Sequence, residues 1–259
     1  MKSINNTLDD FLLSRKFIVL MIVMQFIIFP IATKGFQWEA CGDIVVFTLA
    51  HAVIQGMYPY AWAFQISAIV LLMLVVVRGE WVSRVFSFYA GCCYLLYAVI
   101  QNVAVTEKYG ISVVTINLLM MFLVAAMWFR SACRRSTRFT FSNLSWKTAW
   151  MIPVALFCLW WPMNMMQGPA VPDFDPVYLF TGGSAMAFCP MTPVFLSLLV
   201  LSKKDADRSL LRVTAMVGFI IGCYNMGNFA TAAGLYLGIY HLPLLGISLY
   251  ALFIGKRHV

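Results

Sequence analysis

Apolar stretches close to 20 residues long recur along the chain, and "ISAIVLLMLVVV" (66–77) is interrupted only by Ser67. A stretch of about 20 apolar residues is what an α-helix needs to cross roughly 30 Å of hydrocarbon. These stretches lack the strict alternation of polarity that marks an outer-membrane barrel. The expectation is an all-α fold, a polytopic transmembrane helical bundle. Composition agrees: 62% of residues are hydrophobic and 11% charged, whereas a soluble domain is nearer a quarter charged. So apolar a chain cannot hide its hydrophobic surface in one water-soluble core. A single transmembrane domain over 1–259 is expected. Residues 1–58 supply a first span and an outer loop with a re-entrant or interfacial segment, and 59–254 form the bundle.

Charge sets the orientation. Of the 18 lysines and arginines, only Lys34 and Lys108 fall in expected outer loops. Eight spans satisfy this bias, at about 17–32, 59–77, 82–103, 111–129, 148–163, 182–201, 211–228 and 231–254. Both termini then lie in the cytoplasm, because short basic loops stay on that side. Run 17–32 follows Arg15-Lys16 and has the outline of a signal peptide too; its long polar leader favours span 1. The stretch "IVVFTLAHAVIQ" (44–55) is too short to cross. The expected location is the cell (inner, cytoplasmic) membrane, with the lipid bilayer as the first partner. The net charge of +8 does not indicate nucleic acid. Its basic residues sit in loops, without the interleaved aromatics that stack bases.

The most irregular apolar stretch is "GGSAMAFCPMTP" (182–193). Each proline lacks an N–H and clashes with the carbonyl four residues back. Either a kinked helix runs through, or the helix begins at Cys189-Pro190, where proline is tolerated in a first turn. In the second case Gly182 and Gly183 belong to irregular backbone inside the membrane. Such backbone survives only where protein or a watery cavity satisfies it, and broken spans of this kind hold ligands in many transporters. Two further stretches are interrupted, "HAVIQGMYPYAW" (51–62) and "GIYHLPLLG" (238–246), and they carry His51 and His241. Each histidine suits either a ligand site or an interface with water. Asn117, Asn225 and Asn228 lie in or near spans 4 and 7 and suit interhelical hydrogen bonds or a polar lining.

Soft donors gather near the same end: Met163, Met165, Met166, Met186, Cys189 and Met191. Thioethers and thiolates suit Cu(I) or mercury, although a methionine-rich apolar chain produces such groupings by chance. Vicinal Cys92 and Cys93 point about 100° apart on a helix and chelate poorly. The seven cysteines contain no CxxC pair, and a disulfide between Cys41 and Cys189 is sterically open but unsupported. Asp173 and Asp175 could hold a cation, but a solvated loop explains them more simply. The chain has no HExxH, GxSxG or GxxxxGK[ST], and no lysine within a span for a retinal-type Schiff base. No cofactor is assigned.

The region 59–254 resembles a family of bacterial multi-pass membrane proteins of unknown function, in which a proline-containing loop leads to a CPTT-x-F type stretch opening an apolar helix. The matching residues are "VPDF" (171–174) and "CPMTPVF" (189–195), with Pro193 a departure. The resemblance implies no activity, but it puts Cys189, Pro190 and Thr192 first among positions to test. Three functions remain open. The first is a small transporter-like or ligand-binding protein, for a small molecule or an ion, with its site at the start of span 6. The second is a non-catalytic subunit or scaffold of a larger membrane complex. A membrane-embedded enzyme is third, and would need an acid–base pair within hydrogen-bond reach.

Overall fold

The computed structural model describes residues 2–164 and 171–256. Its helices are α1 (Lys2–Leu13), α2 (Arg15–Ile27), α3 (Cys41–Ala50), α4 (Ala61–Arg78), α5 (Ser83–Ile100), α6 (Thr115–Arg134), α7 (Trp146–Ala149), α8 (Met151–Trp160), α9 (Tyr178–Thr181), α10 (Phe188–Leu201), α11 (Arg208–Asn225) and α12 (Leu235–Lys256). Short strands are β1 (Ile31–Ala32), β2 (Val103–Thr106), β3 (Gly110–Val113), β4 (Met163–Asn164) and β5 (Val171–Pro172). Five helical stretches are long and apolar enough to cross a membrane: Val53–Trp81, Ser83–Ile100, Thr115–Arg134, Arg208–Ala230 and Leu235–Ile254. A sixth is Tyr178–Met186 with Phe188–Leu201, bent by 93° at its break. Two expected spans come out shorter: α2 has 13 residues, and α8 has 10.

The helices stop where the sequence lets their ends be satisfied. Ser14 caps α2 by accepting from the N–H of Phe17, and Asp207 caps α11 by accepting from that of Leu210. These small polar side chains take up N–H groups that the first turn leaves free. Helix α6 ends on Arg135 in the left-handed region, with φ 53°.

The fold is helical as expected, with only short strands in the links. The links at one end of the bundle form a three-stranded antiparallel sheet, ordered β1-β3-β2, with Val103 opposite Val113 and Thr106 opposite Gly110. The expected helices through 103 and from 111 give way to this hairpin. At Gly110 φ is +63° and a Cβ would lie 2.2 Å from the Thr33 hydroxyl, so the turn requires glycine. Helix α3 packs on the hairpin, with the Thr48 hydroxyl donating to Ser112 at 2.8 Å. Segment 44–55 therefore lies at this end of the bundle and does not cross it.

Contacts sort the loops into two poles. At the first, Asp9 of α1 is gripped by the Arg130 guanidinium and accepts from the Ser209 hydroxyl. The N–H of Arg138 donates to the Asp205 carbonyl at 2.8 Å, Lys203 reaches the Ile254 carbonyl at 2.8 Å, and Tyr250 reaches that of Lys147 at 2.9 Å. Asp9 sits lower in pKa than an ordinary carboxyl: burial raises it, but the Arg130 and Ser209 hydrogen bonds and the charge of Arg134 outweigh that. The hairpin, α3, β4 and β5 form the second pole. Its only sequence cations are Lys34 and Lys108, against Glu39, Asp43, Glu107, Asp173 and Asp175.

Helix α10 is the axis of the bundle. Every residue of it except Cys189 is buried, and α5, α8, α11 and α12 pack around it. Phe195 meets the rings of Phe86, Tyr94 and Trp128 at centroid distances of 5.6–5.8 Å. A helix so covered needs no polar face, which is why its sequence lacks amphipathic periodicity.

Candidate functional site

The break before α10 is built from glycine and closed by side chains of neighbouring helices. Gly182 ends α9 in an extended conformation, Ser184–Met186 make one 3-10 turn, and Ala187 is extended again before α10 starts at Phe188. Pro190 lies in the first turn, so its missing N–H costs nothing. Pro193 lies deeper, and the helix continues past it to Leu201.

Polar backbone in such a break must find partners. Gln65, fully buried in α4, is one of three side chains that supply them. Its Nε2 donates to the Leu159 carbonyl at 2.7 Å, and its Oε1 accepts from the Ala185 N–H at 3.0 Å. The Ser184 hydroxyl lies within reach of both Gln65 Oε1 (2.8 Å) and the Leu159 carbonyl (2.6 Å). Leu159 is in the last turn of α8, where carbonyls lack helical partners. One glutamine thus joins the end of α8 to the entry of α10. From α5, the Tyr97 hydroxyl donates to the Ala185 carbonyl at 2.8 Å. Gln101, just beyond α5, accepts from the Phe188 N–H at 2.9 Å.

A cavity of about 420 Å³ opens at the second pole against this break. Gly182, Gly183, Ser184, Ala187, Cys189 and Pro190 form one side of it. Gln55 and Tyr58 come from the turn before α4, Gln101 from the end of α5, and Trp161 and Met163 from the end of α8. His241 enters from α12. The His241 ring is only 5% exposed, and its Nδ1 lies 2.6 Å from the Leu237 carbonyl. A carbonyl only accepts, so Nδ1 carries the hydrogen and, in the neutral ring, Nε2 keeps a lone pair. That nitrogen has no protein partner among the described residues.

Of the residues singled out in the sequence, the cavity gathers Gly182, Gly183, Cys189, Pro190, His241 and Met163. Asn225 sits behind it. Its Nδ2 donates to the Ile221 carbonyl at 2.8 Å and lies 3.9 Å from the Cys189 sulfur, and Asn228 donates to the Asn225 carbonyl at 2.9 Å. The rest lie elsewhere. Thr192 is one turn deeper, fully buried, and accepts from the Tyr94 hydroxyl at 3.1 Å. His51 is exposed and stacks on Phe47 at 4.0 Å, its Nδ1 on the Phe47 carbonyl. Stretch 238–246 is not broken, because α12 continues through Pro243.

The described methionines of this group belong to separate cores. Met191 belongs to the main core, Met186 to a small core with Ile54 and Ile100, and Met163 to a third with Trp161 and Tyr240. Met165 and Met166 lie outside the described residues. Among the described residues no three His, Cys, Asp or Glu side chains are grouped to hold a metal. All seven cysteines are free thiols. Asp173 accepts from the Tyr178 hydroxyl at 2.7 Å, and the Asp175 carboxylate accepts from the Val177 N–H at 2.9 Å.

Fold and cavity together define a helical protein with several helices long and apolar enough to cross a membrane and a cavity at a broken helix. Comparison of the chain with protein-family models, with curated proteins and with solved structures finds no match. Sequence reasoning missed Gln65 and Gln101. A signal for Gln65 was present, since an amide inside the apolar run 61–77 is costly unless something uses it.

Proposed function

We propose that this is a multi-pass protein of the cell membrane that binds a small ligand, in the manner of a transporter, in the cavity at the start of α10. The observation that carries the reading is the cavity's place: it opens against a break whose backbone is satisfied by Gln65, Tyr97 and Gln101. A helix broken at membrane depth needs such supports, and broken spans are where many transporters hold their ligands.

Eight passes with both termini cytoplasmic belong to the same proposal. Supporting it, α2, α4, α5, α6, α8, α10, α11 and α12 each join a loop of the basic first pole to one of the second. The lengths of α2, α8 and α10 then require the extended segments beside them to complete the crossing. Reporter fusions within 135–145 and within 173–177 should report opposite sides of the membrane; the same side at both would refute the map. The resemblance carried by "CPMTPVF" is part of this proposal too, and two of its residues, Cys189 and Pro190, line the cavity.

The direct test is a thermal-shift screen of metabolites and metal ions on purified protein, run beside Cys189→Ala. A compound that stabilises wild type and loses effect in the variant supports the reading; no stabilising compound counts against it. One observation favours a subunit or scaffold instead. Only 28% of the apolar stretch containing α4 is buried inside the protein, against 61% for that containing α11, so α4 offers a face to lipid or to a partner subunit. A defined complex retained in mild detergent, lost when that face is altered, would support this second reading.

A further inference from the structure

We propose that the cavity selects uncharged solutes: its ligand is a small neutral molecule with an N–H or O–H to donate and an apolar face. The inference rests on the reading of the cavity as a ligand site, and it concerns the chemistry admitted there.

No Asp, Glu, Lys or Arg is among the residues lining the cavity, and the neighbouring stretch 165–170, "MMQGPA", contains none in the sequence. An ion settling against this largely apolar lining loses water without gaining a counter-charge from it, which disfavours it. The start of a helix can substitute for a cation by presenting free N–H groups to an anion. Here most of those groups are spoken for: Pro190 has no N–H, and in the first turn only the Cys189 N–H has no partner among the described residues. The Phe188 N–H is held by Gln101 Oε1 at 2.9 Å, the Ala185 N–H by Gln65 Oε1 at 3.0 Å, and the Met191 N–H by the Ala187 carbonyl at 3.3 Å. Asp173 and Asp175, the acidic residues of the adjoining loop, are not among the lining residues, and both are tied into that loop. Asp173 takes the Tyr178 hydroxyl, and Asp175 takes the Val177 N–H.

What the cavity offers is neutral. His241 presents an Nε2 acceptor from a ring that is 95% buried and otherwise fixed by the Leu237 carbonyl. Gln101 uses its oxygen on Phe188, and its amide N–H₂ has no protein partner among the described residues. Ile54, Tyr58 and Trp161 supply apolar surface. The volume of about 420 Å³ is within the range of small-molecule sites, roughly 300–1,000 Å³.

Cys189 lines the cavity and reads its selectivity without knowledge of the natural ligand. The intact protein in detergent is treated separately with three methanethiosulfonates, carrying neutral hydroxyethyl, anionic sulfonatoethyl and cationic trimethylammonioethyl groups. Modification of Cys189 is followed by mass spectrometry of its peptide, which separates it from the exposed Cys92, Cys133 and Cys223. Each rate is divided by that reagent's rate with free 2-mercaptoethanol. The neutral reagent should modify Cys189 at least about tenfold faster than either charged one, and His241→Asp should raise the cationic rate by about tenfold, as a counter-charge in a poorly solvated site would. Normalised rates that match across the reagents, or a charged reagent that reacts fastest, would overturn neutral selectivity while leaving the cavity accessible. If no reagent reaches Cys189 until the protein is unfolded in SDS, the cavity is closed to solutes and the ligand-site reading fails with it.

Discussion

Removing Gln65 and Ser184 together should cost more than removing each alone. In Gln65→Leu, the Ser184 hydroxyl can still donate to the Leu159 carbonyl at 2.6 Å. The group left stranded is the Ala185 N–H, whose acceptor was Gln65 Oε1. An unsatisfied buried donor costs about 1–3 kcal/mol. In Ser184→Ala nothing is stranded, because Leu159 keeps the Gln65 amide and Gln65 Oε1 keeps the Ala185 N–H; the expected loss is under about 1 kcal/mol. In the double variant the Leu159 carbonyl, at the end of α8, loses both donors. The double cost should exceed the sum of the singles by about 1–3 kcal/mol, a coupling that a double-mutant cycle isolates. The measurement is equilibrium unfolding in mixed micelles of SDS and a non-ionic detergent, followed by far-UV circular dichroism. Additive losses would refute the argument that one carbonyl is served by two interchangeable donors.

Three further outcomes follow from the geometry. Gly182→Ala would place a Cβ 2.4 Å from the rigid Tyr178 carbonyl oxygen, whereas at Gly183 the nearest atom is in the Tyr58 ring, 2.7 Å away. Both should destabilise by about 1–3 kcal/mol, with Gly182→Ala the worse in the same unfolding assay. Gly183→Ala should also move Tyr58 and slow entry of the neutral thiol reagent to Cys189. The Asp9 carboxyl is held below its usual pKa of 3.8 by Arg130 and Ser209, so its contribution is complete above that value and disappears as pH falls through the lowered one. Pepsin should therefore release α1 only below about pH 4, and Asp9→Asn should expose α1 to trypsin at neutral pH; equal cleavage of variant and wild type would refute the clamp.

The apolar lengths were legible because they are properties of whole segments, and α4, α5, α6, α11 and α12 fall where hydropathy puts them. Proline was legible only in part. Pro190 does mark a helix start, but Pro243 looks identical in sequence and leaves α12 continuous. The difference lies in neighbours: Gln101 and Gln65 wait beside the first, and their presence there follows from packing between distant segments. The hairpin at 103–113 was hidden because its strands have only four residues each and adjoin apolar helices. Met186 and Met191, close in sequence, fell into separate cores because a 93° break lies between them.

On the proposed topology, the shortness of α10 has an electrical consequence. Its 14 residues make about 21 Å of helix, against roughly 30 Å of bilayer hydrocarbon. Water filling the cavity down to Phe188 would bring one aqueous phase inside the membrane, and the transmembrane voltage would then fall almost wholly across α10. The local field would be steeper by a factor of about 1.4 than in the surrounding lipid. A neutral solute resting beside Cys189 would be indifferent to that field.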